Sequence, residues 1–71
     1  MNWEQIGAKW KQFTGSVKQE WGEFTDDDVD YIAGTRDRLV GRLQEKYGLA
    51  KDEAERRADR WLSSQKDPTT P

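Results

Sequence analysis

Seven large apolar side chains recur along the first third of the chain: Trp3, Ile6, Trp10, Phe13, Val17, Trp21 and Phe24. The gaps between them are three, four, three, four, four and three. At ~100° per residue, all seven fall within an arc of roughly 80°. A strand would need gaps of two, and none occurs. The spacing predicts one long amphipathic helix from about Asn2 to Gly22, whose aromatic stripe the remaining segments must cover. Gly7 and Gly15 lie inside it, each unfavourable by up to ~1 kcal/mol relative to Ala. A bend or division would fall at Gly15, but the stripe keeps its phase from Phe13 to Val17, so continuity there is expected.

Composition decides whether such a stripe has enough company to make a core. The 71 residues suffice for one small domain. Hydrophobic residues make up 32% and charged residues 37%, with a mean hydropathy of −1.19, values polar enough to raise the question of disorder. Four Trp, two Tyr and two Phe set at helical spacing argue for folding instead. Without Cys there are no disulfides, so a net stability of only a few kcal/mol is expected.

Start and stop signals divide the rest of the chain. Thr25 precedes Asp26, Asp27 and Asp28, an N-cap followed by three carboxylates where the helix dipole favours negative charge. A short helix from there to about Ala33 turns Val29 and Ile32 inward. Gly34 breaks the chain and Thr35 is placed to cap a third helix running to about Tyr47, with Leu39, Val40, Leu43 and Tyr47 inward. Gly48 fits a helix C-terminus with Leu49 just beyond it. The last helix, from about Ala50 to Ser64, carries Ala54, Ala58, Trp61 and Leu62 on its inner face. Its Glu53 sits where a capping box needs an acid, but Ala50 cannot accept the capping bond, a deficit of ~1 kcal/mol. The expected organisation is a single helical domain over residues 1–64 and a disordered tail over 65–71, which holds both prolines.

The residue types exclude several chemistries. Without His or Cys, neither a Ser-His nor a Cys-His arrangement can form, nor a soft-metal site. The glycines lie too far apart for a phosphate cradle. Asp26, Asp28 and Asp30 have the one-three-five spacing of a calcium loop, but Tyr31 and Asp37 stand where Gly and Glu are required. No catalytic residue, cofactor or metal is expected, and no small-molecule substrate is evident. Net charge is −2 and the isoelectric point about 5.0, unlike a dedicated nucleic-acid binder. No apolar run approaches the ~20 residues of a membrane span, and the N-terminus lacks a secretory pattern, so the cytoplasm is the expected location.

Three features could carry interactions. Arg38, Arg42 and Lys46 recur every four residues and line one helix face, either as a solvated face laced with ion pairs or as a set of phosphate contacts. Arg36 would share a face with Ile32, Leu39, Val40 and Leu43 if the second and third helices were continuous. A charge there needs a partner. It is expected to pair with a carboxylate of the Asp26, Asp28 and Asp30 cluster, or else to lay its stem across the core with its head in water. The Trp3–Trp21 stripe suits a core, or a membrane surface given Lys9, Lys11 and Lys18 on the same helix, although Lys11 and Lys18 project nearly opposite the stripe. Trp3, at the helix start, is the member expected to be partly exposed.

Several blocks together carry a family resemblance: Trp10-Lys11, Gly15-Ser16-Val17-Lys18, Trp21-Gly22, Thr25 to Asp28, Gly34, Arg36-Asp37, Leu39-Val40-Gly41 and Tyr47-Gly48. In this order, over about residues 2 to 62, the chain resembles the CsbD-like family of small bacterial stress-response proteins. The resemblance implies an all-α fold, a small open bundle of about four helices in a SAM-domain-like arrangement. It implies a stress-associated role of unknown mechanism and brings no catalytic residues. The chain departs from the family pattern at Ala50, where a polar cap is usual, and at Ala33, where an acid is common. The expectation is a non-catalytic protein acting through its surface. Alternatives are a nucleic-acid-binding module and a membrane-surface protein. Partner and oligomeric state are unknown at this stage.

Overall fold

The computed structural model describes residues 2–65 and contains five helices among them: α1 (Trp3–Ala8), α2 (Trp10–Glu20), α3 (Asp26–Ile32), α4 (Arg36–Tyr47) and α5 (Lys51–Ser64). The protein is an all-α bundle. The expected tail lies outside the described residues from 66 onward. Gln65 is described and anchored: its side chain accepts from Ser16 Oγ at 3.1 Å and donates to the Trp61 carbonyl at 3.2 Å.

The aromatic stripe is divided between two helices, and the division falls at Lys9 rather than Gly15. Lys9 takes φ −122° and ψ 33°, closing α1 and opening α2, and the Gln12 N–H donates to its carbonyl at 2.9 Å. Gly15 lies within an unbroken α2. The kink leaves both halves facing one core. Ile6, Phe13, Val17, Trp21 and Phe24 are buried, while Trp3 and Trp10 are half-buried against them. The Trp10 indole N–H reaches the Val29 carbonyl at 3.0 Å and ties α2 to α3. At the start of α1, Asn2 and Gln5 form a reciprocal capping box, which the spacing of the stripe does not reveal.

Thr25 caps α3 as its sequence predicts, with Asp28 completing the capping box. The helix ends in two consecutive left-handed residues, Ala33 at φ 47° and Gly34 at φ 77°. The second of these is forced by packing. A Cβ at Gly34 would lie 2.4 Å from the Gly7 Cα and 3.0 Å from the Gly7 nitrogen, so the α3–α4 turn and α1 touch backbone to backbone. Thr35 precedes α4 as expected, but its hydroxyl makes no capping bond.

α4 and α5 form a hairpin, with α3 packed on α4 and with α1 and α2 reaching α5 at Trp61. Gly48, at φ 64°, ends α4 in the left-handed conformation. Ala50 precedes α5 without a side-chain cap. Ala54 and Ala58 are fully buried, and their small side chains let α5 approach α4 closely. Trp61 is the hub. Its ring centroid lies 5.8 Å from that of Trp3, 6.2 Å from Phe13 and 6.1 Å from Trp21, so one side chain of α5 meets α1, α2 and the residue that ends α2. Its indole N–H donates to Ser16 Oγ at 3.1 Å.

Candidate interaction surface

The acidic start of α3 and the basic row of α4 meet at one buried carboxylate. Asp28 is only 4% exposed. The Thr25 N–H and hydroxyl both donate to its Oδ2, at 2.9 and 3.1 Å. From α4, Lys46 Nζ approaches Oδ2 to 2.9 Å and an Arg42 terminal nitrogen approaches Oδ1 to 3.6 Å. Burial alone would push the Asp28 carboxyl up. The Thr25 N–H, Lys46 and the Thr25 hydroxyl together outweigh it and hold the group below its ordinary value. The N-terminal cap of one helix is thus also the anchor of the next.

Arg42 has further partners. It pairs with Glu45 at 3.0 Å, and its guanidinium carbon lies 4.2 Å from the centroid of the Tyr31 ring. Arg38 stands 5.1 Å from the same centroid and donates to the Tyr31 carbonyl at 3.0 Å. Tyr31, 47% exposed, is the one large exposed hydrophobic among the described residues. The expected basic row therefore exists, but each member is engaged with α3. Arg42 and Lys46 turn onto Asp28, and Arg38 and Arg42 cover Tyr31. Residue spacing shows that the three cations share a face. It does not show that α3 lies across that face.

Arg36 does not pair with Asp26, Asp28 or Asp30. Its Nε and one terminal nitrogen grip Asp59 of α5 in a two-point contact at 2.9 and 3.0 Å, with Glu55 3.5 Å away. The expectation failed because the second and third helices are not continuous: Ala33 and Gly34 turn the chain between them. The register of the α4–α5 hairpin sets the partner instead, with Arg36 twelve residues before Gly48 and Asp59 eleven after it. The paired charges hold the Asp59 carboxyl below its ordinary value and raise that of Arg36. The acidic cluster disperses: Asp26 goes to Lys18 of α2 at 2.6 Å, and Asp30 points outward. Among the described residues, no three carboxylates gather as a metal site would require.

The face considered for membranes is turned inward, since most of the stripe is core. No helix among the described residues is long and apolar enough to cross a membrane. Concavities open on the surface of the described residues. One is a shallow depression over Gly7–Gln12 at the α1–α2 kink. Another is a cleft of about 300 Å³ lined by Glu20, Trp21, Tyr47, Glu53, Arg57 and Arg60.

The CsbD-like family model matches residues 4–56. The chain belongs to the CsbD-like family. It is similar to the UPF0337 protein YjbJ of an Escherichia coli strain, at 54% identity over 61 residues covering 86% of this chain and 88% of the relative. It is similar to YjbJ of Salmonella typhimurium at 51%, over 86% of this chain and 87% of that one. UPF0337 protein RPA4217 of Rhodopseudomonas palustris is 50% identical over 66 residues, 93% of this chain and the whole of the relative.

The CsbD-like match ends inside α5, before Ala58, Asp59 and Trp61. In this member, then, the aromatic hub and the main partner of Arg36 lie beyond the matched segment. Sequence reasoning missed both roles. Trp61 stood out only as one of four inner-face residues of the last helix, and Asp59 did not stand out at all. The one sequence clue to the latter was the separation of Arg36 and Asp59 from the Gly48 turn.

Proposed function

We propose that this CsbD-like protein is a non-catalytic, cytoplasmic, stress-associated protein that acts through the surface of its folded bundle. The stress association is the family's general role. What supports the non-catalytic part is the use of the displaced carboxylates. Asp26 on α3 pairs with Lys18 on α2, Asp28 on α3 with Lys46 and Arg42 on α4, and Asp59 on α5 with Arg36 on α4. Each perturbed acid joins two helices, so the perturbation has a structural cause and no reactive partner beside it.

A nucleic-acid role through Arg38, Arg42 and Lys46 is the weaker alternative, because a phosphate must draw Arg42 and Lys46 away from a buried carboxylate. The membrane-surface alternative would require the core stripe to turn out. The test is complementation. A strain lacking the protein is exposed to osmotic and oxidative stress, then supplied with the wild-type chain or with Gly34→Ala, which disturbs the fold. Restored survival with wild type and not with Gly34→Ala supports the proposal. Unchanged survival on deletion under both stresses refutes the stress role, and full rescue by a chain that circular dichroism finds unfolded refutes the role of the bundle surface.

A further inference from the structure

The cleft lined by Glu20, Trp21, Tyr47, Glu53, Arg57 and Arg60 includes two charged groups, Glu20 and Arg60, that join no helices to one another. It lies where α2 and α4 both end against α5: Glu20 and Trp21 close α2, Tyr47 closes α4, and Glu53, Arg57 and Arg60 follow one another along one side of α5. Its volume of about 300 Å³ stands at the lower end of ligand pockets, so any occupant is small.

Its polar groups are unevenly engaged. Arg57 is held by Glu53 at 3.1 Å. Glu20 and Arg60 form no ion pair among the described residues. The Tyr47 hydroxyl oxygen accepts from the Glu23 N–H at 3.2 Å, which leaves its own proton to give. Trp21 is 5% exposed, and its indole N–H has no hydrogen-bond partner among the described residues, whereas the Trp10 and Trp61 indoles each have one.

The lining therefore carries two carboxylates and two guanidiniums, with neutral donors between them. A purely anionic or purely cationic ligand gains little from a lining of zero net charge. A ligand with one charge of each sign gains from both. Arg60, and the Arg57 nitrogens not bonded to Glu53, suit a carboxylate, which planar guanidinium recognises well. Glu20, beside the C-terminal ends of α2 and α4 where the helix dipoles are negative, suits an ammonium. Trp21 offers too little ring face for cation–π capture, so an ammonium with N–H groups fits better than a quaternary one.

We infer that the cleft between Glu20, Trp21, Tyr47, Arg57 and Arg60 binds a small zwitterion of amino-acid type, with its carboxylate at Arg60 and its ammonium at Glu20. The site does not depend on the stress role proposed above.

The test is an NMR titration of the full 15N-labelled chain at constant ionic strength with L-alanine, and separately with its halves, acetate and methylammonium. The expected result is a saturable shift at the Trp21 indole and at Arg60 with L-alanine, with a Kd on the order of millimolar for so few contacts. Arg60→Gln and Glu20→Gln each weaken binding about tenfold, while Lys11→Gln, at an exposed cation outside the cleft, leaves it unchanged. Both cleft substitutions lie on the surface, and the unaltered resonances elsewhere report that the fold is intact. Shifts that stay linear to about 100 mM and spread over the surface overturn the inference. An acetate curve equal to that of L-alanine overturns the zwitterion assignment.

Discussion

Gly34→Ala separates a backbone contact from a backbone conformation. Two effects oppose Ala at this position. The left-handed conformation at φ 77° disfavours an L side chain by about 1–2 kcal/mol. The new Cβ would also lie 2.4 Å from the Gly7 Cα, and backbone cannot swing aside as a flexible side chain can. Overpacking of that kind is unfavourable by a further ~1–3 kcal/mol. The total, about 2–5 kcal/mol, is a large part of the ~4–11 kcal/mol that 71 residues ordinarily provide. In a domain this size it lowers Tm by roughly 10–30 °C.

Two companion substitutions isolate the contact. Gly48 is also left-handed, at φ 64°, but a Cβ there meets nothing within 4 Å. Gly48→Ala should therefore show the conformational effect alone, ~1–2 kcal/mol. At Gly7 a Cβ would meet the Gly34 carbonyl oxygen at 3.6 Å, ordinary contact, within a helix where Ala is preferred by up to ~1 kcal/mol. Gly7→Ala is then neutral or stabilising, although it stands on the other side of the same contact. Thermal and urea melts followed by circular dichroism give all three values. If Gly34→Ala and Gly48→Ala melt together, α1 does not rest on the α3–α4 turn and the argument is wrong.

Other consequences concern charges and caps. Lys46→Met leaves Asp28 buried with one cation fewer; a loss of about 1–3 kcal/mol is expected, together with an upward move of the Asp28 carboxyl in a carbon-detected NMR titration. Asp28 and Asp59 both sit below the ordinary value of 3.8, so the folded chain stays ionised after the unfolded one has begun to bind protons. Their stabilisation is whole above about pH 4 and vanishes as pH falls through the depressed folded values; Tm measured between pH 7 and 2.5 should drop below about pH 4, less steeply in Asp28→Asn. The Arg36–Asp59 pair is half-exposed, and a double-mutant cycle with Arg36→Met and Asp59→Ala should give a coupling of only ~0.5–1 kcal/mol despite its two-point geometry. Ala50→Ser supplies the missing cap of α5 and should raise stability by about 1 kcal/mol, or Tm by ~4–8 °C; no change would mean that Lys51 and Asp52 already satisfy that helix end by other means.

The limits of sequence reading follow from what periodicity can report. It records which side chains share a side, so the stripe correctly gave helices and a buried face. The one-residue kink at Lys9 leaves that record almost unchanged, because α1 and α2 face the same core on either side of it. Local signals fared well at Thr25, Gly48 and Ala50, each of which behaves as its neighbours imply, but not at Thr35, whose hydroxyl makes no capping bond. Arg36 shows the opposite case. Its helical arc assumes a continuous rod that Ala33 and Gly34 interrupt, and its partner comes from a hairpin register that exists only after α5 folds back. Asp28 was legible as a helix start but not as the anchor for Lys46, eighteen residues later. The Trp21–Tyr47–Arg60 cleft likewise draws on three helix segments and has no continuous sequence signature.

The placement of charge also bears on what kind of surface this protein offers. Its strongest basic row faces its own most buried acid, and the aromatic ring nearest that row is covered by the same arginines. An anion approaching Arg42 meets the fields of Asp28 and Glu45 at once, and removing either cation from Asp28 would leave a desolvated carboxylate behind. Binding there would oppose folding, whereas binding in the cleft would draw on groups that join no helices to one another, Glu20 and Arg60. A partner that uses the α4 face must therefore loosen the α3–α4 joint. One that uses the cleft can add its binding energy to a bundle that is otherwise only marginally stable.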